Sequence, residues 1–395
     1  MRNKRRKCIV RFSLRNRKSS GMKRFEKSIL VTRPYLPPLE DFKQGCEEIW
    51  ANQWLTNNGP MLQRFQKELS RYLGVPETNL ALFNNGTLAL ELGYYAMGLA
   101  GGDVITTPFT FVATSHALKR IGANPIFADI DPETMCLDPA KAEKLITPRT
   151  KAIVPVHVYG NVCDVEGFER LGQKYGVKII YDAAHAFGID LATKNTKGTK
   201  QSVGCCGDMS MFSFHPTKLF HSCEGGLLVF KDASVQEKLF ELRNFAICSE
   251  TECVDVGTNA KMNELQALMG LECLKKIDEL LDWRQKIYRA YQEAFSDCPV
   301  VKLVPYSQNK AYVPVLFKDF AIRERVYAEL VEKCNVFSRR YFYPLLTDFA
   351  PYVYGKGTCP VAEELASCVL TLPTYYGLPI EDVKAIANAV LEIVS

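Results

Sequence analysis

Long apolar runs are the first thing this sequence lacks. Nowhere in its 395 residues do the roughly 18–20 uninterrupted apolar side chains of a membrane helix occur. No secretory h-region with a cleavage site is present either, so a cytoplasmic protein is the expectation. Paired metal ligands are missing too. The 14 cysteines are scattered from Cys8 to Cys368 without a C-x-x-C, and only Cys205 and Cys206 adjoin. The five histidines, at 116, 157, 185, 215 and 221, form no H-x-H or H-x-x-x-H pair. Zinc sites need ligands in close pairs, so no metal is expected. The thiols read instead as small buried hydrophobes of a reducing compartment. Internal repeats and low-complexity tracts are also absent.

Acidic residues are absent from the first 24 positions, which hold eleven Lys or Arg. The rest of the chain has 38 basic and 44 acidic residues, a net −6 masked by the formal +5 of the whole. The body is mildly acidic, which argues against a nucleic-acid partner. Residues 1–32 are read as a basic N-terminal extension, disordered or upstream of a start at Met22. What remains suits two domains: a large one over 33–275 and a small C-terminal one over 276–395.

Short apolar, β-branched-rich runs fall at 79–83, 103–107, 125–129, 151–157, 177–182, 208–214 and 226–231. Amphipathic segments at 87–99, 112–121, 139–146 and 165–175 separate most of them. The pattern predicts an α/β fold: a mostly parallel seven-stranded sheet with helices on both faces. A helical pattern over 262–293 leads to a smaller α+β region. That region has strands at 312–317 and 369–372 and helices at 321–334 and 380–394.

Ligands of such sheets bind beyond the carboxyl ends of the strands, and four features gather there. "NNGT" (84–87) puts a glycine and a hydroxyl at a helix start, an anion cradle or an ordinary cap. Asp182 emerges from a strand too apolar to solvate it, so it needs a cationic partner or a helix N-terminus. Phe111 offers a flat ring. "SFHPTKLFHSCEGG" (213–226) adds the Ser213 hydroxyl, the Lys218 amine and a close-passing Gly pair. Each alone has a bland reading as cap, core or surface. Together they are the handles of pyridoxal phosphate: a phosphate cradle, a carboxylate for a ring nitrogen, a stacking ring and an amine for an aldehyde. His185, three residues after Asp182, is placed beside the ring.

These residues bring a resemblance into view. From "RPYLPPLEDF" (33–42) to the C-terminus, the chain resembles the DegT/DnrJ/StrS nucleotide-sugar aminotransferases of fold type I. "WLTNNGP", "NNGTLAL", "PFTFVAT", "YDAAHAFG", "SFHPTK", "EGG" and "GTNAKMNELQA" carry the likeness. The resemblance implies that Lys218 binds the cofactor aldehyde, that Asp182 partners the ring nitrogen, and that Phe111 stacks on the ring. It implies Gly86, Thr87 and Ser213 as phosphate ligands, and Asn259 reaching the neighbouring subunit's phosphate in a homodimer with shared sites. Thr56, Arg339 and Tyr341 are implied for substrate. The implied reaction moves an amino group from glutamate to a nucleotide-linked keto sugar, at C4 of dTDP-4-keto-6-deoxyglucose, for surface glycans. A UDP-linked or C3-keto substrate, and a cofactor-binding regulator on the same scaffold, are the alternatives. Relatives that dehydrate instead carry histidine where Lys218 stands.

Overall fold

The computed structural model describes residues 21–192, 200–305 and 307–395. All seven expected strands join one sheet: β1 Leu80–Phe83, β2 Asp103–Thr106, β3 Asn124–Phe127, β4 Thr150–Val154, β5 Lys178–Asp182, β6 Met209–Ser213 and β7 Gly226–Phe230. Their spatial order is β1-β7-β6-β5-β4-β2-β3, with β7 antiparallel to both its neighbours and every other pairing parallel. The inner strands β5, β6 and β7 are almost wholly buried, as strands covered on both faces must be. Because β7 runs backwards, it starts at the edge where its neighbours end. Gly226 pairs with Phe83 on one side and Ser213 on the other, which brings residues 224–226 to the same rim as the ends of β1 and β6. A Cβ at 226 would lie 2.5 Å from the Asn85 carbonyl, so only glycine lets β7 enter there.

The single helix expected over 262–293 is two. Glu264–Leu274 opens with a capping box between Asn263 and Gln266 and is buried around most of its surface. Ile277–Phe295 keeps one buried face and one wet one. One straight rod cannot serve both burial demands, and the chain turns at Lys275 and Lys276, which pair outward with Glu272 (2.7 Å) and Glu279 (2.9 Å). The helix expected over 321–334 likewise ends early, at Glu329, and passes into one wide turn over Leu330–Cys334.

A second core gathers Ile287, Tyr291, Val315, Leu370 and Val390 with the antiparallel sheet Val301–Leu303, Val313–Phe317 and Val369–Leu372. It includes Phe25 and Ile29, from the segment 1–32 read above as an extension. The Phe25 N–H donates to the Cys334 carbonyl (3.0 Å), the Ile29 N–H to that of Asn335 (3.0 Å), and Ile29–Leu30 pairs with Val336–Phe337. Two apolar side chains in a basic stretch are what seat it. The basic leader over 1–20 lies outside the described residues. Among the described residues, no helix is long and apolar enough to cross a membrane.

Candidate active site

A cavity of about 160 Å³ opens at the carboxyl ends of the parallel strands. Its walls come from five of those ends: Gly86 and Thr87 after β1, Phe111 after β2, Val156 after β4, Asp182 on β5, and Ser213 and Lys218 on and after β6. His185, His215, Glu224 and Tyr341 complete it. Nine residues expected from the sequence are thus placed in or beside one cavity, or carry its charge: Gly86, Thr87, Phe111, Asp182, His185, Ser213, Lys218, Tyr341 and Arg339. Thr56 and Asn259 do not line it. Thr56 is exposed, its carbonyl accepting from the Trp54 indole. Asn259 is exposed and bridges Asn244, while the next residue, Ala260, accepts from the Asn84 N–H (2.9 Å).

The helix Gly86–Ala96 is capped by the Asn85 side chain, which accepts from the Leu88 N–H at 2.9 Å. The N–H groups of Gly86 and Thr87 remain for an anion, with the helix dipole behind them. The floor is tight: a Cβ at Gly86 would meet Ser213 at 3.1 Å and the Met211 sulfur at 3.2 Å. The Gln266 amide braces the cradle from behind, donating to the carbonyls of Asn84 (3.2 Å) and Glu224 (2.8 Å).

Asp182 is 5 % exposed. Its Oδ2 accepts from the Thr114 hydroxyl at 2.7 Å and its Oδ1 from the Ala184 N–H at 3.1 Å. Burial pushes its carboxyl above the usual range, and these two donors and the field of Lys218 pull it back only in part. No ion pair reaches it among the described residues. A buried carboxylate left with one hydroxyl and one N–H can take a cation, a protonated ring nitrogen among them.

His185 is fixed in one tautomer. Its Nδ1 accepts from the Tyr159 N–H (3.1 Å), so the proton of the neutral ring sits on Nε2. Burial, then the positive fields of Lys218 and Arg339, hold it well below its ordinary pKa and uncharged. Lys218 Nζ donates to the Tyr312 hydroxyl at 3.5 Å. Arg339 lies over the Tyr341 ring, its carbon 4.3 Å from the centroid, and its backbone is locked to Thr371 by two hydrogen bonds. Tyr341 is fixed in turn by the Tyr159 hydroxyl, which donates to its carbonyl.

Thr114, Gln266, Asn309 and Tyr312 were missed by sequence reasoning. Thr114 had a signal: it sits one helical turn beyond Phe111, so its hydroxyl returns to the same side. The other three had none, because their partners lie 42 to 182 residues away.

A cradle for an anion, an under-paired buried carboxylate and an amine lining the same cavity, at the strand ends of a mostly parallel sheet, define a pyridoxal-phosphate type of transferase. Comparison with known proteins narrows the class. The chain belongs to the DegT/DnrJ/EryC1/StrS aminotransferase family, whose profile matches residues 39–391. It is 42% identical over 375 residues to the dTDP-4-amino-4,6-dideoxy-D-glucose transaminase of Shigella dysenteriae, covering 93% of this chain and 100% of that protein. The structure of DesI in the presence of its TDP-sugar product superposes with a TM-score of 0.86 at 34% identity, covering 95% of each chain. That of NtdA from Bacillus subtilis with bound cofactor PMP does so at 0.81 and 27%, over 90% of this chain and 82% of that one.

Proposed function

We propose that this aminotransferase moves an amino group from glutamate to C4 of dTDP-4-keto-6-deoxyglucose, in the cytoplasm, on a route to surface glycans. The reading is carried by Lys218 and the under-paired Asp182 lining one cavity. The sugar assignment is supported by the transaminase named for that amino sugar product, at 42% identity.

Pyridoxal phosphate fits the residues present, and when bound it supplies an aldehyde for an amine and a ring that accepts electrons. Gly86, Thr87 and Ser213 would hold its phosphate, and the Phe111 ring, 47 % exposed on the cavity wall, would pack against it. Asp182 would hold a proton on the ring nitrogen. Neutral His185, with its proton on Nε2, lines the cavity. The Lys218 amine would hold the cofactor's aldehyde and, when free, would serve as the base that takes up the proton of the reacting carbon and the acid that returns it. Thr56, Arg339 and Tyr341 serve the substrates. Arg339 is exposed and has no acidic partner among the described residues, so it is a free cation for a carboxylate or diphosphate.

A homodimer completes the site in this reading, with Asn259 serving the partner's phosphate. Supporting it, the hairpin beside Asn259 exposes Phe245, Ile247, Val254 and Val256, an apolar surface that a second copy would cover. Purified protein offered glutamate and a panel of dTDP-, UDP- and GDP-linked keto sugars tests the whole. Amine transfer to the dTDP-4-keto sugar above the others is the expected result. Transfer to none of them overturns the reading, and transfer to a UDP- or C3-keto sugar alone overturns the substrate.

A further inference from the structure

A lysine that is covalently engaged for part of a cycle must be kept in place for the rest of it. Four methylenes give a released amine wide rotamer freedom, and an amine that swings into solvent is lost to proton transfer. Lys218 Nζ has one hydrogen-bond partner among the described residues, the Tyr312 hydroxyl, which comes from 94 residues further along.

Tyr312 is held on every side. It is 5 % exposed, and its ring packs against His185, 4.6 Å between centroids, and against Tyr341 at 5.6 Å. The backbone just before it is pinned by Arg284, whose Nη1 donates to the Ala311 carbonyl at 2.6 Å. Asn309 clamps the same turn to the active-site segment. Its amide donates to the carbonyls of His185 and Phe187, each at 2.9 Å, and its oxygen accepts from the Ala311 N–H at 3.1 Å. Burial holds the hydroxyl protonated, with Arg284 and Arg339 opposing. A neutral hydroxyl can accept an N–H from the amine without pairing with it as a charge.

We propose that Tyr312 is the positioning residue that holds the Lys218 amine inside the cavity whenever that amine is not covalently engaged. The inference rests on the aminotransferase reading, in which the lysine is released in each half-reaction. Asn309 and Arg284 fix Tyr312, and Tyr312 fixes the amine. The C-terminal part of the chain thereby sets the reach of a side chain that belongs to the central sheet.

Tyr312→Phe removes one oxygen and keeps the ring. In cofactor-free protein, trace acylation followed by peptide mapping should show Lys218 labelled at least about threefold faster in the variant, relative to the exposed lysines of the same sample. In cofactor-loaded protein, both half-reactions should slow by about tenfold in single turnover, with KM for each substrate unchanged. 3-Fluorotyrosine at position 312 keeps the size but weakens the acceptor, and should move the labelling the same way. Unchanged labelling in both variants overturns the proposal. So do half-reaction rates equal to wild type. Because labelling needs no turnover, it reads the contact even if no amino group is transferred, and the two readings fail separately.

Discussion

Asp129 follows β3 at the edge of the sheet and Asp182 ends β5 at its centre, and both are buried at the carboxyl ends of parallel strands. Asp129 is saturated. Its Oδ1 accepts from the N–H groups of Ile130 and Ala362, and its Oδ2 from that of Val361, all at 2.9 Å, with Lys141 at 3.7 Å. The helix Pro360–Cys368 has no side-chain cap of its own, and Asp129 provides one from 232 residues away. Glu264 does the same for Pro60–Leu73, accepting from Met61 (2.7 Å) and Leu62 (3.0 Å). Asp182 receives one hydroxyl and one N–H. A carboxylate that holds the fold together has its lone pairs filled by the protein. One that is to hold a cation from outside has them left open, at a cost the surrounding core must offset.

The strongest test of that contrast is Asp182→Asn. Turnover should fall by on the order of 10³-fold, since the amide cannot hold a proton on the ring nitrogen. Stability should move the other way. A carboxyl whose pKa is raised by folding contributes stability below its ordinary range and loses it as pH rises through the raised value. At pH 8 the uncharged variant, without cofactor, should therefore melt no lower than wild type. Near-normal turnover would reduce Asp182 to a helix cap.

Asp129→Ala should show the reverse. Three N–H groups, two of them on buried residues, lose their acceptor, at a cost of about 3 kcal/mol in urea unfolding, while turnover per folded molecule stays at the wild-type level. A loss below about 0.5 kcal/mol would mean that water replaces the carboxylate fully.

His157 is a third buried titratable group, stacked on Tyr181 at 4.7 Å, its Nδ1 accepting from the Cys163 N–H at 3.1 Å. Burial pulls its pKa down to about 3, so the unfolded chain takes up its proton first as pH falls. Stability present above the ordinary value near 6.5 should be lost toward pH 3, with about 2 kcal/mol gone between pH 7.5 and pH 5. In His157→Gln that share of the pH dependence should disappear from unfolding curves taken across the range.

The smallest effect sharpens the contrast from within the site. Thr114→Val keeps shape but removes a donor that lowers the Asp182 pKa, leaving the carboxylate still less satisfied. Turnover should drop by roughly five- to tenfold and cofactor should dissociate faster, as followed by absorbance. Unchanged values would show that the Thr114 proton goes instead to Thr110 or to the Phe111 carbonyl, both also within reach.

Much of this molecule was legible because it is local. Seven strands stood out because each apolar run is bounded by turn residues, and the rim residues because strand ends carry Gly86, Asp182, Ser213 and Lys218 in short, chemically odd stretches. The break at Lys275 and Lys276 was not legible, since an unbroken helical period says nothing about how much of each turn is buried. Nor was the seating of Phe25 and Ile29, which sit in a stretch whose charge hides them.

The sequence by itself determined the strand and helix periods, the glycine that only β7's entry can use, and the kinds of chemical group at the rim. Tertiary structure alone decided which groups are satisfied and which are left open. Glu264 reaches Met61 across 203 residues, Asp129 reaches Val361 across 232, and Lys218 reaches Tyr312 across 94. The reason is physical. Secondary structure follows from neighbours along the chain, whereas a hydrogen bond between residues distant in sequence exists only once packing has excluded water and brought both partners within hydrogen-bond reach.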